Sequence, residues 1–213
     1  MPKQKRQLSA DFPIHISGRC NNREHFPLPL SEVWEIFEDY LFLLPRAFEI
    51  EVLSFVLMPN HFHLLVRDPK LNLSIAMRFF MREIAKEILR KSGRINRLWG
   101  GEYHSTVVEG LDYYFTCYKY IYRNPVRAKI VNSVLAYEFS TLGVLLGKRK
   151  SIIPIAEDLT LFESPDQTIA WLEKPFEEEM NETIRKSLKK KTMRFEAVRS
   201  SRKLLKPEIP DFI

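Results

Sequence analysis

Phe48-Glu49-Ile50-Glu51-Val52-Leu53-Ser54-Phe55-Val56-Leu57-Met58-Pro59-Asn60-His61-Phe62-His63-Leu64-Leu65-Val66-Arg67 is the stretch that decides the fold. Two runs rich in Val, Leu, Ile and Phe, Phe48 to Leu57 and His61 to Arg67, flank Met58-Pro59-Asn60, whose composition suits a turn, so an antiparallel hairpin is expected. Upstream, Phe12 to Ser17 reads as a short strand and Gly18 to Arg23 as a polar loop. Behind Ser31, a suitable N-cap, Val33, Ile36, Phe37, Tyr40, Leu41 and Leu44 recur at the spacing of an amphipathic helix. Downstream, Leu73, Ala76, Met77, Phe80, Ile84 and Ile88 mark the buried side of a second helix, running from Asn72 to near Ser92-Gly93. Tyr103 to Glu109 reads as a fourth strand.

Strand, helix, strand, strand, helix, strand is the order of an α+β, ferredoxin-like split βαβ sandwich, with one antiparallel sheet covered by two helices on one face and its other face free. A further helix is expected from about Leu111 to Arg123, followed by a short one that Asn124 caps and Pro125 begins, through Val131. Beyond Gly147 an acidic block (Glu157, Asp158, Glu163, Asp166, Glu173, Glu177, Glu178, Glu179, Glu182) precedes a basic one (Arg185, Lys186, Lys189, Lys190, Lys191, Arg194, Arg199, Arg202, Lys203, Lys206). The chain therefore divides into residues 10–147 and a charged extension, 148–213, that either clamps a polyanion or lies self-paired on the domain.

With 45% apolar and 28% charged residues among 213, the chain is of the ordinary globular class. Its 33 Lys and Arg against 27 Asp and Glu give a formal charge of +6, which favours a polyanionic partner. Cys20 and Cys117 are too few and too far apart for a disulfide framework or a thiolate zinc site, so a reducing cytoplasm is expected. No apolar run is long enough to span a bilayer, and no membrane partner is expected.

His61 and His63 lie two apart on a strand, so their imidazoles leave the same face, where they can share a divalent metal or simply pack. In the helix from Leu111, Tyr114, Cys117, Tyr118 and Ile121 form a core-facing stripe, while Tyr120 falls on a polar face with Thr116, Arg123, Asn124 and Arg127. Asn124 is one turn from Tyr120, so its amide oxygen and the phenol reach one small volume. A phenol titrates near 10 and is a poor nucleophile unless a cation or base assists it. Arg78, Arg82, Lys86 and Arg90 repeat every four residues as a basic ridge that can track phosphates or merely be solvated. Arg19, Arg23, Arg123, Arg127 and Lys129 are further phosphate candidates; Trp99 and Tyr103 suit base stacking or the core.

The segments Val56-Leu57-Met58-Pro59-Asn60-His61-Phe62-His63-Leu64-Leu65-Val66 and Tyr120-Ile121-Tyr122-Arg123-Asn124-Pro125-Val126-Arg127-Ala128 resemble the REP-associated tyrosine transposases, in the single-tyrosine branch of the His-hydrophobe-His (HUH) superfamily. Ile14 to Arg23 and Arg97-Leu98-Trp99-Gly100-Gly101 look similar to further landmarks of that family, and the resemblance spans roughly residues 10–147. It implies the ferredoxin-like catalytic fold, Mg²⁺ or Mn²⁺ on His61 and His63 with Asn124 as third ligand, and Tyr120 as nucleophile. It further implies cleavage and joining of single-stranded hairpin DNA, with a 5′-phosphotyrosine formed and a 3′ hydroxyl released, by a cytoplasmic, nucleoid-associated monomer or homodimer. Cys20 stands where the family has a small glycine, and Glu102-Tyr103 where a basic residue is common. Two other functions fit the same residues: a non-catalytic module for single-stranded nucleic acid with a vestigial metal site, and a metal-dependent phosphodiesterase that uses water.

Overall fold

In the computed structural model, which describes residues 6–156, 163–195, 206, 207, 209 and 210, the hairpin forms where the apolar runs place it. β2 (Glu51–Met58) and β3 (His61–Arg67) pair antiparallel, and because Met58 opposes His61, Pro59 and Asn60 alone make the turn. β1 (Ile14–Arg19) joins the other side of β3, and β4 (His104–Val107) joins β1, giving the order β2-β3-β1-β4 with each neighbouring pair antiparallel. α1 (Leu30–Phe48) and α2 (Leu73–Ser92) pack together on one face. This is the α+β split βαβ sandwich that the element order calls for.

Alternation along the strands builds two different faces. Ile14 and Ile16 of β1 and Phe62, Leu64 and Val66 of β3 turn toward the helices and meet Phe37, Phe80 and Ile84 in a first core. Each such side chain contributes about 1.5–3 kcal/mol when fully buried. The residues between them, His15, Ser17 and Arg19 on β1 and His61 and His63 on β3, leave by the opposite face.

That opposite face is covered, contrary to the expectation of a free one. α3 (Leu111–Arg127) lies across it, and Leu53, Val56, Met58 and Leu65 of the sheet meet Phe115, Tyr118 and Ile121 in a second core. After a single turn, α4 (Leu142–Leu145), the extension adds α5 (Pro165–Glu173) and α6 (Glu178–Ser187), whose Trp171, Leu172 and Ile184 close this core. A helix buried on nearly all sides needs cover on more than one of them, and α3 has the sheet beneath and the extension beside it. Arg123 Nη1 donates to the carbonyls of Leu172 (2.7 Å) and Glu173 (2.5 Å) at the end of α5. The Lys119 ammonium stands 5.2 Å from the Trp171 ring and 4.8 Å from Phe176. The chain then returns along β4, where Val107 N donates to Lys191 O and Met193 N to Val107 O, both at 2.8 Å, so part of that sheet edge is paired. Of the charge blocks, Glu157, Asp158, Arg199, Arg202 and Lys203 lie outside the described residues.

Several boundaries differ from expectation for identifiable reasons. α1 starts at Leu30 after Pro29, and Ser31 lies inside its first turn with no side-chain cap bond. β1 runs on through Arg19 because Cys20 N and Asn21 N find partners in Asn60 O and Leu98 O, which keeps the expected loop extended. β4 is shorter than Tyr103 to Glu109. Asn124 and Pro125 do not begin a new helix: Pro125 forfeits only its own donor, and Ala128 N to Asn124 O (2.9 Å) and Ile130 N to Pro125 O (3.0 Å) carry the turn onward. Replacing Trp171 by Ala removes a side chain only 4% exposed from the second core. A loss of about 3–5 kcal/mol of unfolding free energy is expected in urea titrations; a loss under about 0.5 kcal/mol would show the extension to be a loose appendage.

Candidate active site

A cleft of about 1150 Å³ opens between the covered sheet face, α3 and α6. Its floor comes from strand alternation. His61 and His63 project into it two residues apart on β3, and Arg19 and Ser17 of β1 stand directly opposite them in the antiparallel register. The two imidazole rings are 5.1 Å apart and nearly perpendicular, at 80°. Tyr120 of α3 presents its ring edge-on to His63, with ring centres 5.8 Å apart at 88°. Asn124, one turn along, lines the same cleft; its Nδ2 donates to Tyr120 O at 2.8 Å, which leaves the amide oxygen as its remaining acceptor.

The groups behind the histidines are as definite as the histidines themselves. His61 Nδ1 lies 2.6 Å from Asn60 Oδ1, and Asn60 Nδ2 donates to Arg23 O at 2.8 Å. His63 Nδ1 lies 2.9 Å from Nε2 of His15, a buried β1 residue. Asn60 also ties down the loop that carries Arg23, since its carbonyl accepts from Cys20 N at 2.8 Å.

Burial controls the protonation of this cluster. Desolvation pushes His61 down to about 3, with Arg19 adding to the effect, and pushes His15 to about 3 with help from His104. His63 is driven well below the usual histidine range by burial first, then by His15, His61 and Arg19. The three imidazoles are therefore neutral at pH 7, each with a nitrogen lone pair. Burial raises the Tyr120 phenol above its ordinary value, and Arg127, Arg185 and Arg19 oppose that rise.

Tyr120, His61, His63, Asn124, Arg19, Arg23 and Arg127 thus converge on one cleft, although Tyr120, with 6% exposure, sits on a buried face and not the polar one its helical position suggests. Arg127 is partly neutralised by Glu178 (3.7 Å) and Glu182 (3.5 Å) of α6. Arg123 is turned away into the end of α5. Arg78, Arg82 and Lys86 are exposed on α2, on the far side of the sheet, where Arg82 and Lys86 both face Glu83 at 2.7 and 3.9 Å. Trp99 is a core residue, its Nε1 donating to Met81 O at 2.8 Å. Sequence reasoning assigned no role in the cleft to His15, Asn60 and His104, and named Arg185 and Lys189 only within the basic block of the extension. Only His15 left a usable trace, a polar residue alternating with Ile14 and Ile16 on a strand.

Among the described residues no group of three or more His, Cys, Asp and Glu is placed to hold a metal ion, and no helix is long and apolar enough to cross a membrane. The family model "Transposase IS200 like" matches residues 10–124, more than half of the chain. A REP-associated tyrosine transposase solved with a REP hairpin superposes with a TM-score of 0.57 at 21% identity, over 75% of this chain and 94% of that one, which speaks for a common fold. A candidate transposase from Deinococcus radiodurans R1 aligns at 17% identity over 61% of this chain and 92% of its own, with a TM-score of 0.39. No curated protein matches significantly. The histidine pair, the tyrosine and most of the cleft lining lie within the matched segment, and the chain belongs to the IS200-like transposase family.

Proposed function

We propose that this transposase cuts and rejoins single-stranded DNA beside a hairpin by way of a covalent bond to Tyr120. The observation that carries the reading is the placement of a buried tyrosine edge-on to the second histidine of a strand pair, in a cleft edged by Arg19, Arg23 and Arg127. A hairpin as partner is supported by what the structural relative was solved with.

In the first step the Tyr120 hydroxyl oxygen attacks the phosphorus of a phosphodiester and loses its proton. The bond from phosphorus to the 3′ oxygen breaks, and that oxygen leaves as a hydroxyl after taking up a proton. The DNA is left as a 5′-phosphotyrosine, whose ester retains the free energy that hydrolysis would discard. Attack by a 3′ hydroxyl reverses the step and rejoins the strand.

Arg19 and Arg127 line the cleft with Tyr120, and their guanidinium groups would draw the phosphodiester toward it and steady charge on its oxygens. Arg23 extends the same wall, while Arg78, Arg82 and Lys86 can hold only DNA that wraps the far side of the sheet. Arg123 serves the site indirectly, by anchoring α5 against the tyrosine helix.

The donor set fits a divalent cation: two neutral imidazoles and the Asn124 amide oxygen, an open set that leaves room for phosphate. Mg²⁺ or Mn²⁺ held by His61, His63 and Asn124 would withdraw charge from the phosphate and favour ionisation of the phenol. Oxygen-loving ions on imidazoles are chemically unusual, and Zn²⁺ would compete for the same donors.

Wild type incubated with end-labelled single-stranded hairpin DNA and Mn²⁺ is expected to carry label through a denaturing gel. Tyr120→Phe should carry none, and His63→Ala at least a hundredfold less, equivalent to about 3 kcal/mol of transition-state stabilisation. Tight binding of the hairpin without adduct would replace the proposal with a binding module; cleavage surviving in Tyr120→Phe would replace it with a water-using phosphodiesterase.

The buried imidazoles also predict a pH dependence. Their affinity for protons is lower folded than unfolded, so the unfolded chain takes up protons first as pH falls. Stability should be whole above about 6.5, decline as pH drops from there toward 3, and stop declining on their account below that. Urea midpoints at pH 7.5 and pH 5 read this before carboxylates titrate: a lower midpoint at pH 5 is expected, and equal midpoints would contradict neutral burial.

A further inference from the structure

We infer that His15 is a positioning residue that sets the tautomer of His63, and with it the nitrogen that His63 offers to a cation. This rests on the metal reading of the cleft and deepens it.

The two histidine ligands are backed differently. The amide of Asn60 has a fixed orientation, because its Nδ2 must be the group that donates to Arg23 O at 2.8 Å. Asn60 Oδ1 is then the atom 2.6 Å from His61 Nδ1, and since a carbonyl oxygen only accepts, His61 carries its proton on Nδ1. Its Nε2 lone pair is available to a cation at all times.

His63 has no such fixed partner. Its Nδ1 meets Nε2 of His15 at 2.9 Å, and a neutral imidazole nitrogen is either donor or acceptor. His15 reaches it diagonally: Ser17 is the direct cross-strand partner of His63, and His15 lies two residues before it on the same face. In one arrangement His63 Nδ1–H donates to His15 Nε2, the His63 Nε2 lone pair is free, and His15 holds its own proton on Nδ1. In the other, His15 Nε2–H donates to His63 Nδ1, and His63 carries its proton on Nε2, where it blocks a cation.

The far side of His15 decides between them. His15 Nδ1 is buried with no hydrogen-bond partner among the described residues. In the cation-ready arrangement that atom is an orphaned N–H, and in the blocked arrangement only a lone pair without a donor. A buried donor left unmade is the rarer and more costly of the two. Without metal the pair therefore rests in the blocked form, and His63 would offer Nε2 to a cation only once the protons of both rings had shifted. His61 is preset and His63 is conditional, so the site discriminates against ligands too weak to reverse a buried tautomer. Groups behind metal-bound histidines commonly change metal affinity by about 10- to 100-fold.

The test compares full-length wild type, His15→Met and His15→Gln. Met and Gln have similar shape and reach, but only Gln supplies an acceptor where His15 Nε2 stands. Mn²⁺ affinity, read by electron paramagnetic resonance of free ion, is expected to rise about 10-fold in His15→Gln, whose carbonyl accepts from His63 Nδ1–H without orphaning a second ring N–H, and to stay within about threefold of wild type in His15→Met. Thermal melting of the metal-free proteins checks that both variants fold. Nitrogen-15 spectra of the imidazoles should show His63 protonated on Nε2 without metal and on Nδ1 with Cd²⁺, while His61 is protonated on Nδ1 in both. Equal Mn²⁺ affinity in wild type and His15→Gln, or a His63 tautomer that Cd²⁺ leaves unchanged, overturns the inference alone. Failure of wild type to bind Mn²⁺ overturns the metal reading and this inference with it.

Discussion

The two-residue alternation of β3 is the constraint on which the rest of the molecule depends. Phe62 and Leu64 are fully buried against α1 and α2, so a one-residue slip would exchange them with His61 and His63 and drive imidazoles into the first core. Register is fixed by that penalty, and the antiparallel neighbours inherit it: Ser17 and Arg19 of β1 must then face the same side as the histidines. A sheet face carrying polar groups at one end and Leu53, Val56 and Leu65 elsewhere can be only partly dry. α3 covers the apolar part and leaves the polar end as the floor of a cleft.

Burial and charge then work against each other at that floor. Neutral imidazoles tolerate a low dielectric, whereas their protonated forms would lie close to Arg19 and to one another. The same desolvation makes Tyr120 harder to ionise, and the guanidinium groups around it answer that cost in part. Arg127 is shared between the cleft and two glutamates of α6. The family segment ends at residue 124, yet Arg185 and Lys189 from beyond it line the cleft, so the extension contributes to the electrostatics of a site whose central residues lie elsewhere.

Periodicity made the hairpin, α1 and α2 legible, because each has a single buried face and a clear repeat. α3 was misread for the opposite reason. With Phe115, Thr116, Lys119 and Tyr120 all buried, it has no solvent-facing stripe to show, and its polar residues look exposed until a cover is known. Pro125 then suggested a break that one missing hydrogen bond did not enforce. Arg123 has the same sequence signature as a phosphate contact, but its direction is set by the α5 carbonyls, which no local pattern foretells. His61, His63 and Tyr120 were legible as a group through their spacing and the resemblance it supported. His15 matters through a contact at 2.9 Å that only the pairing of β1 with β3 creates, and Asn60 through one at 2.6 Å to its chain neighbour His61, whose direction residue type alone does not announce.

Helix α3 carries Tyr113, Tyr114, Tyr118, Tyr120 and Tyr122, so the identity of the nucleophile is the sharpest point on which the account can fail. The direct measurement traps wild type on a single-stranded hairpin oligonucleotide with Mn²⁺, digests protein and DNA, and locates the residual nucleotide mass by tandem mass spectrometry. The account predicts that mass on Tyr120 and on no other residue. A nucleotide on any of the neighbouring tyrosines, or on a histidine, would contradict it.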